Sequence, residues 1–279
     1  MAEIVYNQSD FDYRREPGEN QSSLKKIPES PAHYQAAKKT KLIPTPAMEI
    51  GTALHCRTLD GEKAFDASYI KKPASIKLNT KEGKEWKEAC GRRKPLSTGG
   101  KDDAWNAVQG MHEQLSSLEW FSGTDDDYIK HNEVSIYWNW NGVDCKARLD
   151  RLMVEEGLVL DLKTTDTIEP EMFTKKVVNL GYDFQAAYYA KAAEAVFGKP
   201  FKFIFVAIER KAPYTMDLFE VSPAMMEEGL VKCEMALYQW KQCQAAGIWP
   251  NREPKIRKLE YPSWYSPITP DTDEEPDLF

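Results

Sequence analysis

The sequence predicts an α/β fold in which a mixed central sheet is flanked by helices. Two turn signals and three kinds of periodicity predict it. Asn141-Gly142 and Glu155-Glu156-Gly157 punctuate three alternating runs between residues 128 and 164, which read as a three-strand meander. A helical pattern precedes the meander at residues 48–60 and another follows it at 182–197. Phe201-Lys-Phe-Ile-Phe-Val-Ala-Ile-Glu209 then reads as a buried strand. The order helix, three strands, helix, strand, strand, helix belongs to one mixed sheet with helices on its faces.

Bulk properties bound what such a domain does. The chain has 279 residues, 42% of them apolar, enough for one elaborated domain with a real core. No apolar run approaches the roughly 18 residues of a membrane span, so no membrane role is expected. The start, Met-Ala-Glu-Ile-Val-Tyr, lacks a basic and apolar leader, so cytoplasmic residence is the expectation. Five cysteines without a C-x-x-C predict neither a structural zinc nor a disulfide framework, and their spacing gives no support for an iron–sulfur cluster. The net charge of −7 argues against a simple basic nucleic-acid binder. Five acids lie between Asp271 and Asp277, however, and without them the balance is −2. A local basic track can therefore coexist with an acidic site.

Taken in order, residues 1–20 are polar and expected to be irregular. Asn20–Ile27 reads as a short helix opened by a serine cap, and Ser30-Pro31 opens a second helix running to Thr40. Lys38, Lys39 and Lys41 form a small basic cluster, either a solvated helix end or a phosphate contact. Met48–Asp60 reads as one amphipathic helix with Gly51 and His55 a turn apart. A mid-helix glycine costs about 1 kcal/mol relative to alanine and makes sense where backbone or ligand comes close. A lone helical histidine is ordinarily a packed or surface residue. Residues 65–100 are expected to hold short helices, one at Lys81–Cys90, and a long connection. Gly91-Arg-Arg-Lys-Pro95 is the most basic short run, suited to a phosphate backbone or to solvent. A helix is expected at 101–118. After the meander, helices are expected at Glu169–Asn179 and Tyr182–Phe197, the second placing Gln185 and Tyr189 on one face. Strands at 201–209 and 214–221 and a helix at 223–246 complete a single domain spanning 21–260. An acidic, proline-rich tail occupies 261–279.

The hairpin joining the second and third strands carries the chemistry. In Leu158-Val-Leu-Asp-Leu-Lys163 successive side chains point to opposite sides, so Asp161 and Lys163 share a face. A two-residue loop, Glu156-Gly157, sets Asp150 opposite Lys163. A four-residue loop sets it opposite Asp161. A three-residue loop turns it to the other face. With either even loop, two carboxylates and a lysine converge within cross-strand reach. Like charges so placed gain nothing unless a cation sits between them. A D-x-K on a strand is ordinarily a solvated pair; the apolar setting and the second aspartate set this one apart. Two carboxylates on adjacent strands suit Mg²⁺, a hard ion with oxygen ligands. The Leu162 carbonyl, between Asp161 and Lys163, is a further candidate ligand. Lys163 is placed to orient an attacking water and stabilise phosphorane charge, as phosphodiester hydrolysis requires. One or two ions would serve such a site.

These residues resemble the PD-(D/E)XK nuclease core, with ten residues between the two acids. Gly51-Thr-Ala-Leu-His55, Leu149-Asp150, Leu160-Asp-Leu-Lys-Thr164 and Gln185-Ala-Ala-Tyr-Tyr189 follow one another as in its RecB-type branch. Ser22-Ser-Leu-Lys-Lys-Ile-Pro-Glu-Ser-Pro-Ala-His-Tyr34 is similar to the exonuclease VIII (RecE) type of nuclease domain, and the resemblance runs from about residue 20 to about 250. It implies the restriction-endonuclease-like αβββαβ core. It implies that His55, Asp150, Asp161 and the Leu162 carbonyl hold Mg²⁺, with Mn²⁺ able to substitute, and that Lys163 is catalytic. Gln185 and Tyr189 would line the cleft near DNA, with Arg148, Ser22, Ser23, Lys25, Arg92 and Arg93 as further DNA-binding candidates. The implied activity is 5′→3′ exonuclease action on linear double-stranded DNA, leaving 3′ overhangs. Implied partners are DNA ends, a RecT-like annealing protein and further copies of the chain, as a toroidal tetramer. A phage origin would place it in a bacterial host's cytoplasm.

The chain departs from that pattern in places. Leu149 stands where a proline would precede Asp150, and the long N-terminal extension of the largest members is absent, so a stand-alone nuclease domain is expected. Glu133 is either an extra metal-site carboxylate or a surface residue. Arg148 and Arg151 flank Asp150, where they would contact phosphate or pair with acids. A RecB- or Cas4-like nuclease of other polarity is the competing enzyme reading, though Cas4's cysteine quartet is missing. An inactive DNA-binding module is the third, opposed by the full set His55, Asp150, Asp161 and Lys163.

Overall fold

The computed structural model describes residues 2–40, 43–99, 103–122 and 131–261. Lys41, residues 101–102, residues 128–130 and the acidic tail beyond residue 261 lie outside the described residues. The central sheet contains β1 (Glu3–Val5), β4 (Asn132–Trp140), β5 (Val143–Met153), β6 (Leu158–Thr165), β7 (Lys202–Glu209) and β8 (Met216–Glu220), in the spatial order β1-β4-β5-β6-β7-β8. All neighbours are antiparallel except β6 and β7, so the sheet is mixed. A parallel pair needs a crossover. Helices α8 (Pro170–Leu180) and α9 (Tyr182–Phe197) supply it.

Residues 2–20 are not irregular throughout. β1 covers the outer edge of β4, α1 (Asp10–Arg15) follows, and Glu19 bridges to Cys145. A three-residue strand is too short to show periodicity, and pairing with β4 is what makes it one. Helix α2 is only Gln21–Leu24, and Asn20 caps it, accepting from the Ser23 amide at 3.0 Å. The Ser22 hydroxyl is spent on the same Asn20 oxygen at 2.7 Å. Helix α3 (Pro31–Lys39) begins at its Ser30 cap.

Helix α4 (Pro46–His55) starts at a Thr45 cap and does not run on as one α-helix to Asp60. Cys56–Asp60 is a π-helical turn, followed by α5 (Glu62–Ser68). The connection at 65–100 holds more than short helices. Strand β2 (Tyr69–Lys71) pairs in parallel with β3 (Lys94–Leu96), and α6 (Lys81–Ala89) lies between them in sequence. Helix α7 (Ala104–Leu115) follows.

At the first hairpin Asn141 and Gly142 have φ of 51° and 85°, the left-handed pair that a two-residue turn demands. Trp138, Trp140, Val143 and Cys145 beside it are buried in one cluster with Tyr188 of α9. Beneath the other face of the sheet, Leu54 of α4 and Met111 of α7 pack against Leu160, Leu162 and Val206. Helix α10 (Pro223–Ala246) closes the far side over α9. The α4–β4β5β6–α9–β7 order is the αβββαβ core of a restriction-endonuclease-like fold.

Candidate active site

The site lies where β5 and β6 part company. Their ladder pairs Met153 with Leu158, Leu152 with Val159 and Arg151 with Leu160, then stops. The loop between them is therefore four residues long. One further step of that register sets Asp150 opposite Asp161. Instead of a main-chain partner, the Leu162 amide finds the Asp150 carboxylate, donating to Oδ2 at 2.7 Å. The Leu162 carbonyl meets His55 Nε2 at 2.9 Å. One residue's backbone thus ties both the strand acid and the helix histidine to β6.

The close approach of α4 to β6 makes this possible. A Cβ at Gly51 would stand 3.2 Å from Thr164 Oγ1. The mid-helix glycine suggested the approach of backbone or ligand; what comes close is a side-chain hydroxyl of β6. His55 Nδ1 then lies 3.7 Å from Asp150 Oδ1 and 3.8 Å from Glu133 Oε1. Single ligand atoms of His55, Glu133 and Asp150 all fall within 4.8 Å of one another. Glu133 is no surface residue. Its backbone has a φ of 49°, a left-handed conformation that costs a non-glycine residue on the order of 1–3 kcal/mol and concentrates at functional sites. Arg148 Nε fixes its carboxylate, donating to Oε2 at 2.5 Å.

Asp161 is buried beside this trio. Its Oδ1 accepts from Gln185 Nε2 at 2.6 Å, and its Oδ2 pairs with Lys163 Nζ. The Lys163 ammonium stands 4.8 Å from the centroid of the Tyr182 ring. Burial would lower the Lys163 pKa, but the Asp161 and Asp150 charges raise it above the ordinary lysine value. Burial likewise works against a charged His55. Asp150, and then Glu133, outweigh it and hold the imidazole pKa at about 9. Burial pushes Asp150 up to about 7; His55 opposes the shift, while Asp161 and Glu133 add to it. Burial also favours a neutral Glu133, yet its bond to His55 and the Arg148 charge bring it below the usual glutamate value.

The imidazole Nδ1 and two carboxylates lie close enough together to form a donor set for a hard divalent cation, while the Leu162 carbonyl holds the other ring nitrogen. Two partly buried carboxylates close together, one with a raised pKa, are the electrostatic signature that such a charge relieves. The residues present fit the ion.

The other candidates divide. Lys25 reaches Tyr182, 5.9 Å from its centroid, and donates to the Leu180 carbonyl at 3.1 Å. Burial and the nearby Lys163 charge push its pKa down to about 8. Arg148 lines both the main cleft, about 960 Å³, and a neighbouring cavity of about 550 Å³. Tyr189, Ser22 and Ser23 line only the smaller cavity. Gln185 is buried, and its amide is engaged with Asp161. Arg92 stands on the rim of the main cleft, whereas Arg93 donates to the Cys90 carbonyl at 3.4 Å and does not line it. Arg151 is buried and donates to Asn132 Oδ1 at 2.8 Å, so it braces β5 against β4 rather than facing a phosphate.

Sequence reasoning missed Asp60, Asp10, Arg14 and Tyr182. Asp60 lines the main cleft, and burial with the Glu133 charge raises its pKa to about 6. On an α-helix it would sit about 140° round from His55. The π-helical turn, whose bonds span five residues, lets it face the cleft, and no 3.6-residue pattern reveals such a turn. Asp10 and Arg14, paired at 2.7 Å on α1, line both cavities. Only their i,i+4 spacing was visible in sequence.

A family model described as a PDDEXK-like domain of unknown function (DUF3799) matches residues 20–260. The crystal structure of a candidate exonuclease from Eubacterium rectale aligns at a TM-score of 0.61 and 14% identity, covering 92% of this chain and 96% of that one. At that identity the likeness is one of fold. A second structure, SSO0001, aligns at a TM-score of only 0.29 and 16% identity over 68% of this chain and 86% of that one, and carries no argument. No curated protein matches the sequence.

Proposed function

Because the chain belongs to the PDDEXK-like family whose model spans residues 20–260, we propose that it is a divalent-metal-dependent nuclease acting on DNA. The observation that carries this reading is the meeting of His55, Glu133 and Asp150, with His55 and Asp150 tied to β6 through the Leu162 backbone and the Asp161–Lys163 pair alongside. His55, Glu133, Asp150, Asp161 and the Leu162 carbonyl would hold Mg²⁺ or Mn²⁺, one or two ions per site. A bound ion would polarise the scissile phosphate and favour ionisation of the attacking water. Lys163, held by Asp161 and the Tyr182 face, supplies a fixed positive charge where the phosphorane charge develops. Gln185 positions Asp161 rather than touching substrate. Arg148 orients Glu133, and Lys25 adds a second cation beside Lys163.

The finer reading is a 5′→3′ exodeoxyribonuclease that degrades linear duplexes and leaves 3′ overhangs for strand annealing. It is supported by the RecE-like order of the motifs around residues 22–34, 51–55, 150–163 and 185–189. A single-strand annealing protein and a ring-shaped oligomer of this chain around the duplex belong to the same reading.

Linear duplex labelled at either the 5′ or the 3′ end, and a closed circle of the same sequence, form the test. Mg²⁺ should support release of nucleotides from 5′ ends, EDTA should stop it, and the circle should survive. Lys163→Ala should slow cleavage by roughly 10²–10³-fold with the fold intact by circular dichroism. No cleavage by the unaltered protein with any divalent ion sinks the nuclease; release from 3′ ends sinks only the polarity.

A further inference from the structure

Residues 70–94 carry nine lysines and arginines against three glutamates, a lobe of +6 in a chain whose total is −7. It lies outside the central sheet, built from β2, β3 and α6. Its underside is anchored firmly. Tyr69 and Leu96 are buried, the Lys72 amide donates to the Leu96 carbonyl at 2.8 Å, and α6 presses so closely on Lys77 that a Cβ at Gly83 would stand 2.0 Å from its carbonyl oxygen.

The cations face outward from this base. Lys77, Lys84, Lys87, Arg92 and Lys94 are exposed, and no side-chain hydrogen bond or ion pair engages them among the described residues. Elsewhere around the cleft the cations are committed: Arg148 to Glu133, Lys163 to Asp161, Lys176 to Asp166. Arg92 and Lys94 also line the main cleft together with His55 and Glu133, so one side of the lobe borders the site. A scattered lysine run is ordinarily just solvated. Here it is concentrated in one lobe of an acidic chain, with Lys77, Lys84, Lys87, Arg92 and Lys94 unpaired among the described residues and the last two lining the cleft.

We propose that this lobe is a docking surface for the phosphate backbone of double-stranded DNA, holding the duplex that leads into the cleft. The proposal rests on the nuclease reading for its ligand. Its energetics are those of phosphate contact, independent of base sequence and steeply dependent on salt. It also explains how a chain of negative overall charge holds a polyanion: the attraction is local, within a Debye length of about 8–10 Å, while the acidic surfaces elsewhere are screened.

Binding of a fluorescent blunt duplex in EDTA, followed by anisotropy across a salt series, tests it without requiring cleavage. The Lys84→Gln/Lys87→Gln variant should bind about tenfold or more weakly at 0.1 M salt, and the plot of log affinity against log salt should be shallower by about 2. Lys199→Gln/Lys202→Gln, which removes the same charge at the start of β7, should stay within about twofold of the unaltered protein. Unchanged affinity and slope in the lobe variant, an equal loss in the β7 variant, or no duplex binding by the unaltered protein overturns the proposal. Duplex binding that depends on the lobe in a protein that cleaves nothing supports the lobe and sinks the nuclease reading instead.

Discussion

At the residue scale, His55 is the group whose charge state decides most. Its folded pKa of about 9 lies above the ordinary 6.5 because Asp150 and Glu133 outweigh burial. The linkage sign follows. A raised pKa contributes stability that is fully present below about 6.5 and is lost as pH rises through about 9. In EDTA, the melting temperature should therefore fall between pH 7 and 9, and His55→Gln should flatten that decline. Binding of an ion to Nδ1 requires the proton to leave, so Mg²⁺ or Ca²⁺ affinity should rise over the same interval, by at most about tenfold per pH unit. Calorimetric titration at pH 7, 8 and 9 measures it, and a pH-independent affinity would remove His55 from the ligand set.

At the scale of elements, the strands and helices that carry chemistry were largely legible. The second and third meander strands, the apolar run at 201–209 and the helix carrying Gln185 and Tyr189 are found within a residue or two of their expected ends, whereas the first strand, expected from residue 128, is described from Asn132. What sequence left open was the register at Glu155-Glu156-Gly157. Propensity does not choose between loop lengths; the packing of Leu152 and Val159 in one cluster excludes only the odd loop, and their direct pairing is what makes the loop four residues long. Glu133 was illegible for a related reason. Its left-handed backbone breaks the alternation from which its direction would be read. Helix packing supplies a further prediction. A Cβ at Gly229 on α10 would stand 2.4 Å from the Asp183 carbonyl oxygen of α9. Gly229→Ala should cost about 1–3 kcal/mol through overpacking and lower the melting temperature by several degrees. A melt within a degree of the unaltered protein would mean that the two helices separate at little cost.

At the scale of the whole molecule, the cleft draws on α4, the π-helical turn, β4, β5, β6 and α9, elements distant in sequence. A ligand that binds only this assembled state stabilises all of it. Saturating Mg²⁺ at about 100 times its dissociation constant should add about 2.7 kcal/mol, seen as a metal-dependent rise in melting temperature. Glu133→Gln and Asp150→Asn should each blunt that rise. If Glu133→Gln responds as fully as the unaltered protein, Glu133 is not a ligand. No helix among the described residues is long and apolar enough to cross a membrane.

The place of Leu162 gives the centre an unusual kind of robustness. Its amide and carbonyl join Asp150 to His55, while its side chain is one more apolar filler of the core. Every amino acid except proline carries that same amide, so the junction is encoded by no letter of the sequence. A substitution scan would score position 162 as a tolerant hydrophobic site, open to isoleucine or methionine, and pass over the hub on which Asp150 and His55 depend. Only a change to the chain itself, an ester in place of the amide or a proline, would expose it.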